Sequence, residues 1–315
     1  MLKVEQDPAR PMIVVFGSIN LDLIFALPAI PRAGETLLGP QVRIEPGGKG
    51  ANQAVAAARD GGTVAMAGAV GPDALADDAL VLLSQAGVDT TRIAVSAAAT
   101  GCAAIAVDPQ GRNAIAVGSG ANLLARQAQI EDALLGPQTT LLLQMECDPA
   151  ETASLIRRAR AAGSRILLNL APAGALAPDA LRMVDLLVAN ESEAAWLATE
   201  LGTSADAASL TAALGTAVVR TLGEQGAELA NADGVQIVPA HAVDAVDTTA
   251  AGDCFMGVLA AAIDRGAALP QALRRAAVAA ALACTRHGSQ GSLPLASETD
   301  AALQPSDERI RPGLG

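Results

Sequence analysis

The chain has 315 residues, 51% of them hydrophobic, which is enough to fill the core of one large domain or two modest ones. Its apolar runs break at Arg, Asp, Gly or Pro before the roughly 20 residues of a membrane span, and the start MLKVEQDPARP has no apolar signal core, so a cytoplasmic protein with no membrane partner is expected. A net charge of −12 argues against a broad nucleic-acid footprint, and an aromatic content of 1% leaves little with which to build a ring-stacking site.

In chain order, MIVVFGS reads as a first strand, GANQAVAAARDGG as a helix closed by glycine, TVAMAGAVG as a strand and PDALADDALVLLSQAG as a helix. TLLLQME, SRILLNLAPA, VDLLVAN and TAVVRTLG read as buried strands, separated by helices such as PAETASLIRRARAAG and ESEAAWLATEL. This alternation is that of an α/β fold with a largely parallel sheet. Several strands end on polar or glycine residues: Asn20 shortly after the first, then Glu146, Asn190 and Gly223. In open α/β sheets the ligand crevice lies beyond the carboxyl ends of the strands, so these residues are expected to converge.

Two segments carry strands without helix between them: about Leu21 to Glu45, and TGCAAIAVDPQGRNAIAVGSG with its turn at DPQGR. They form either one small separate sheet, as a lid or an oligomer contact, or extra edge strands of the main sheet. The polar, proline-bearing tail after Leu295 reads as peripheral. The cysteines Cys102, Cys147, Cys254 and Cys284 are scattered with no CxxC pair, which fits small buried hydrophobes in a reducing compartment rather than a zinc site.

The stretch DAVDTTAAGDCF loads acid onto the start of an apolar helix. A helix beginning around Ala250 to Gly252 presents unpaired N–H groups and about half a positive charge, which suits a phosphate. Asp253 in its first turn is then placed to take a proton from a nucleophile, or else simply satisfies the helix end. PGGKGANQAVAAA brings Gly47, Gly48, Lys49, Gly50 and Asn52 to another helix start, but it is not a Walker A loop: Arg43 stands at the first glycine position and Gly50 at the Ser/Thr position. FGSINLD holds one glycine, which disfavours a dinucleotide site, and GSGAN reads as a turn. In VANESEAAWL, Asn190 and Glu193 have the spacing of a helix cap as well as of a site. VVRTLGEQGAEL, with Thr221, Gly223 and Gly226, reads as strand, turn and strand. His241 reads as surface loop, and His287 has no metal-ligand partner at helical spacing.

Taken in order, GSINLD, PGGKGANQA, NESE, TLGEQG and DTTAAGDCF resemble the ribokinase family of sugar and nucleoside kinases over nearly the whole chain. The resemblance implies a single three-layer α/β/α domain spanning 1–315, with a small β lid from about 20–46 and 94–118. It also implies a homodimer through that lid, and transfer of phosphate from ATP, with Mg2+ and a K+ activator, to a sugar hydroxymethyl group such as the 5-hydroxyl of D-ribose. On this likeness Asp253 is the base, and the Ala250, Ala251 and Gly252 amides form the anion hole. Asn20, Asp22, Gly48, Lys49, Asn52 and Glu146 match sugar-contacting positions. Asn190 and Glu193 match the magnesium and phosphate motif, and Thr221, Gly223 and Gly226 the nucleotide loop. Asp247, Thr249, Cys284, His287, Gly288 and Ser292 match the monovalent-cation loop. Two positions depart from the pattern: Ala277, where close members can carry a histidine near adenine, and Leu170 in NLAPA, where proline is usual. Another sugar or nucleoside kinase, with Phe25 as a shelf for a base, and a non-catalytic sugar-binding protein are the alternatives.

Overall fold

The structure is a computed structural model that describes residues 12–304; the N-terminal segment read above for a signal and the last part of the tail lie outside the described residues. Strand β1 (Met12–Phe16) sends Ile13 and Val15 into one core cluster and Val14 and Phe16 into another. A strand apolar on both faces belongs inside a covered parallel sheet. The chain continues through β2 (Asn20–Ala26), β3 (Val42–Gly47), α1 (Lys49–Arg59), β4 (Val64–Val70), α2 (Ala74–Gln85) and β5 (Asp89–Val95). A hairpin of β6 (Gly101–Val107) and β7 (Asn113–Gly118) follows, and then short 3-10 turns. Next come β8 (Thr139–Leu143), α3 (Pro149–Ala162), β9 (Arg165–Asn169), α4 (Pro178–Leu181), β10 (Leu186–Asn190), α5 (Glu191–Leu201) and α6 (Ala207–Leu214). The described chain closes with β11 (Ala217–Thr221), β12 (Ala227–Asn231), β13 (Gly234–Val238), α7 (Ala251–Asp264), α8 (Leu269–Cys284) and α9 (Ala296–Leu303).

The main sheet has the order β13-β12-β11-β10-β9-β8-β1-β4-β5, parallel from β11 to β5 and antiparallel at β12 and β13. Helices α1, α7 and α8 cover one face, and α3, α5 and α6 the other, giving the α/β/α layering that the family resemblance implies around the parallel sheet that the alternation predicts. The helix-free segments do not extend this sheet. They pair with each other as β3-β2-β6-β7, a separate sheet over the carboxyl ends of the main strands. Leu170, fully buried, donates its N–H to the Val188 carbonyl at 2.8 Å, a bond that a proline there would forfeit.

Alanine and glycine let α1 and α7 pack almost backbone to backbone. A Cβ added to Gly257 would lie 2.4 Å from the Gln53 carbonyl oxygen and 2.6 Å from the Ala56 Cβ, so any larger residue would push the helices apart. At the other end of α1, Asp60 is buried and accepts from Arg265 Nη2 at 2.6 Å and from Arg275 Nε at 2.9 Å. Arg275 continues to Asp300 on α9. The start of the tail after Leu295 is a helix on the surface, tied to α8 by this pair and to the turn after α8 by Arg286 with Glu298. Composition shows polarity but not the partner that a charged side chain will meet.

Asp60 thus fastens the helix carrying Lys49, Asn52 and Gln53 to the one carrying Asp253. Removing one partner of a buried charge cluster leaves the others uncompensated; because Arg265 is partly exposed, Asp60→Ala is expected to lower the unfolding free energy by roughly 2–4 kcal/mol, less than the full penalty of a wholly buried pair. Urea denaturation measures this, and a loss below about 0.5 kcal/mol, the range of ordinary surface changes, would remove Asp60 from this role.

Candidate active site

The carboxyl ends of β1, β8, β9, β10 and β11 deliver Ser18, Glu146, Asn169, Asn190 and Thr221 to one edge of the main sheet. Two cavities open there. The larger, about 690 Å³, lies under the lid and is lined by Asn20, Asp22, Lys49, Asn52, Glu146 and Asp253 among others. The smaller, about 240 Å³, is lined by Asn169, Asn190, Glu193, Thr221 and the 250–253 segment. Lys49, Ala250 and Asp253 border both. A cavity of about 400 Å³ sits at the opposite ends of the strands, beside Arg160 and Asp185, which pair with each other at 2.8 Å.

The wall under the lid follows from strand alternation. Asn20, Asp22 and Ile24 of β2 point into the cavity, whereas Phe25 lies on the other face and does not line it, so the expected shelf for a base is not there. Asn122 Nδ2 donates to Asn20 Oδ1 at 2.7 Å, and the Ile19 N–H donates to Asn122 Oδ1 at 2.9 Å. Ser18 Oγ and the Lys49 N–H both donate to Glu146 Oε2. Gly48 has φ 89°, and an added Cβ would meet the Asn20 nitrogen at 2.7 Å, so this turn requires glycine. The Asp22 carboxyl is pushed up to about 7 by burial and by the neighbouring Glu146, Glu45 and Asp253, against the pull of Lys49. Lys49 shifts upward, chiefly through Asp253, because its carboxylate neighbours outweigh its desolvation.

Asp253 is buried, and both of its oxygens are engaged. Asn52 Nδ2 donates to Oδ2 and Gln53 Nε2 to Oδ1, each at 2.9 Å. Gln144 Nε2 in turn donates to Gln53 Oε1 at 2.7 Å. Asn52 lines the larger cavity, and its Oδ1 is buried with no hydrogen-bond partner.

At the start of α7, Ala250 has φ 58°, alone among the described non-glycine residues in having positive φ. That conformation costs about 1–2 kcal/mol and places the residues that follow, Ala251 and Gly252, on the wall of the smaller cavity. The Ala251 N–H donates to the Thr248 carbonyl at 3.2 Å, while Gly252 faces open space, with no atom within 4 Å of an added Cβ. Asn190 and Glu193 are both cap and cavity wall: the Glu193 N–H donates to Asn190 Oδ1 at 2.9 Å, and the Asn190 N–H to Glu193 Oε2 at 2.8 Å. Burial shifts the Glu193 carboxyl upward. Thr221 borders the smaller cavity, and Gly223 and Gly226 shape the turn from β11 to β12.

Among the described residues no three His, Cys, Asp or Glu side chains are grouped to hold a metal. A large cation would therefore draw on carbonyl oxygens, and the 247–249 and 284–292 loops fit that demand in part. Burial works to raise the Asp247 carboxyl, but hydrogen bonds from Thr249 and Gly288 hold it below the usual range, so it stays charged. Among the described residues the Thr249 and His287 carbonyls accept no hydrogen bond, whereas the Cys284 carbonyl already accepts from the Val246 and Asp247 N–H groups. Ser292 Oγ donates to the Ser289 carbonyl at 2.8 Å.

Reading the sequence missed Ser18, Glu45, Gln53, Asn122, Gln144 and Asn169. Gln53 stands beside Asn52 in the first turn of α1, a visible signal. Asn122 lies in the stretch read only as a turn, and nothing in its neighbourhood points to Asn20.

A cavity lined by carboxylates and side-chain amides and one lined by the start of α7, sharing a carboxylate and a lysine, make an arrangement suited to moving a phosphoryl group between two bound molecules. Comparison with known proteins agrees. The chain is 36% identical over 306 residues to a ribokinase of Haemophilus influenzae, covering 92% of this chain and 97% of that one. It is 35% identical over 291 residues to a deoxyribokinase of Salmonella typhi, covering 90% and 95%. The ribokinase structure from Thermotoga maritima superposes with a TM-score of 0.86 at 32% identity, over 93% of this chain and 99% of that one. Residues 10–296 match the model for "pfkB family carbohydrate kinase". Since that match spans most of the chain and takes in both cavities, the protein belongs to the pfkB family, the ATP-dependent carbohydrate kinases that include the ribokinases.

Proposed function

We propose that the protein transfers the γ-phosphoryl group of ATP to the 5-hydroxyl of D-ribose, giving ribose 5-phosphate. The observation that carries this reading is the wall shared by the two cavities, where Asp253 and Lys49 border both. Asn20, Asp22, Gly48, Asn52 and Glu146 hold the sugar under the lid. Asp253, held by Asn52 and Gln53, takes the proton of the attacking hydroxyl as its bond to phosphorus forms. The amides at 250–252 and Lys49 stabilise charge on the equatorial oxygens of the transferring group, which suits the loose transition state of this reaction. Thr221, Gly223 and Gly226 border the nucleotide.

Asn190 and Glu193 would hold Mg2+, which would supply charge neutralisation of the phosphates. Asp247 and the Thr249 and His287 carbonyls would hold K+, with Gly288, Ser292 and the committed Cys284 carbonyl shaping the loop. The chain works as one domain whose lid comes from 20–46 and 94–118. Phe25, Val42 and Ile44 are exposed on the lid, and they suit pairing with a second copy. Four unpaired thiols fit a cytoplasmic setting.

A second reading, a deoxyribokinase, has a specific observation behind it, because a protein of that name is as similar as many ribokinases. A nucleoside kinase has less support, since Phe25 turns away from the cavity.

Three measurements test the proposal. Asp253→Asn should lower kcat by about a hundredfold or more and leave sugar binding within a few-fold, because Asn52 can rotate its unpartnered oxygen toward the new amide; near-normal turnover in coupled ADP release would sink the role of Asp253. Ionised Asp22 accepts hydrogen bonds from sugar hydroxyls at both oxygens and more strongly than the protonated acid does, and its carboxyl is pushed up to about 7. Ribose affinity by calorimetry should therefore tighten as pH rises from 6 to 8, by up to about tenfold, with the slope abolished in Asp22→Asn; a flat wild-type profile contradicts this. Finally, kcat/KM for ribose should exceed that for 2-deoxyribose by at least about tenfold, with the gap reduced in Asp22→Ala, since a site built to bond a hydroxyl penalises the analogue lacking it. The opposite preference would transfer the assignment to the deoxyribokinase reading.

A further inference from the structure

Glu45 has no contact with the reacting groups in the chemistry proposed above, where it acts only through its charge on Asp22, yet it stands where the lid accommodates an acid poorly. It stands directly opposite Asp22 in the antiparallel pairing of β2 with β3, and like charges so placed destabilise a strand pair. Its compensation comes from elsewhere in the chain. The Ser289 N–H donates to Glu45 Oε2 at 3.1 Å, Ser289 Oγ donates to the Pro46 carbonyl at 2.7 Å, and Arg43 Nε lies 3.3 Å from Glu45 Oε1. The preceding amide, Gly288, donates to Asp247 Oδ2 at 3.1 Å, and Asp247 Oδ1 accepts from the Thr249 N–H at 2.9 Å. Two consecutive amides of one buried turn therefore hold two carboxylates, one from the lid and one from the segment leading into α7. The fit is close: a Cβ added to Gly288 would lie 2.7 Å from Glu45 Oε2.

We propose that Glu45 is a positioning residue, fastening lid strand β3 to the 288–289 turn and so setting the register between the sugar wall on β2 and the amide end of α7. The inference rests on the kinase reading given under Proposed function. Fastening differs from general stabilisation in what it governs. Without it the sugar still finds Asn20, Asp22 and Asn52, but its hydroxyl is no longer held in line with the transferring phosphoryl, and small misplacements of reacting groups are costly to rate.

The test uses the full chain with Glu45→Ala, Glu45→Gln and Ser289→Ala, measuring ADP release at varied ribose and hydrogen exchange at Gly288 and Ser289 without substrate. Glu45→Ala should lower kcat about tenfold with the sugar KM within about threefold, and speed exchange at both amides about tenfold. Glu45→Gln keeps an oxygen that can accept from Ser289 and should recover most of both effects. Ser289→Ala keeps the N–H that donates to Glu45 but removes the Oγ bond to the Pro46 carbonyl; it loosens the same junction of β3 with the turn, should reproduce part of the loss, and covers the case in which Glu45→Ala fails to fold. Wild-type kcat and exchange in Glu45→Ala, a raised KM with unchanged kcat, or equal damage in Glu45→Gln would each overturn the proposal. Failure of the kinase reading is distinguishable, since the wild type would then release no ADP with any sugar while the exchange measurements still report whether Glu45 holds the turn.

Discussion

The site depends on the contact between α1 and α7. Their closeness is a matter of volume: Gly257 against the Gln53 carbonyl and the Ala56 methyl leaves no room for a larger side chain. Because the two helices meet near their N-terminal ends, the same packing that excludes water from the core sets Asn52 and Gln53 against both oxygens of Asp253. The carboxylate is oriented by amides that are themselves fixed by core packing, through Gln53 to Gln144 at the end of β8. At the far end of α1, Asp60 and its two arginines prevent the helices from sliding past one another. A carboxylate supported this way is held by helices rather than by a loop, which is the condition for precise alignment.

Charge is arranged around that contact with little cationic help. Asp22, Glu146, Glu193 and Asp253 all act on Lys49, which keeps its proton, while Asp22 is driven upward. In a chain of net charge −12 an anionic nucleotide cannot be held by a broad basic surface. Under the proposed function its attraction comes from a helix end, from Lys49 and from accompanying cations, which are local and oriented contributions. The strained backbone at Ala250 belongs to the same economy, since it places Ala251 and Gly252 on the wall of the smaller cavity without adding charge.

Much of the fold was legible before any coordinates. The switch between apolar runs and alanine-rich periodic stretches marked the parallel strands and the main helices, because side-chain periodicity is a local property. The two helix-free segments were recognised as unusual, but whether they paired together or joined the main sheet stayed open, since strand pairing is decided by distant partners. Asn190 and Glu193 illustrate the same limit. Their spacing indicated a cap, and the cap is there, but its burial against Lys49 and the smaller cavity is a tertiary fact.

By itself the sequence determined the layered α/β class, the order of the motifs that mark the family, and the placement of acid at the start of α7. Local composition, spacing and turn chemistry suffice for these. Tertiary structure alone decided that Gln53 shares Asp253 with Asn52, that Asn122 supports Asn20 from 102 residues away, that Phe25 faces away from the cavity, and that the tail helix closes on Arg275. The physical reason is common to all four: hydrogen bonds and ion pairs between residues far apart in the chain form only after the sheet and its helices have packed, and no local pattern encodes which partner will be near.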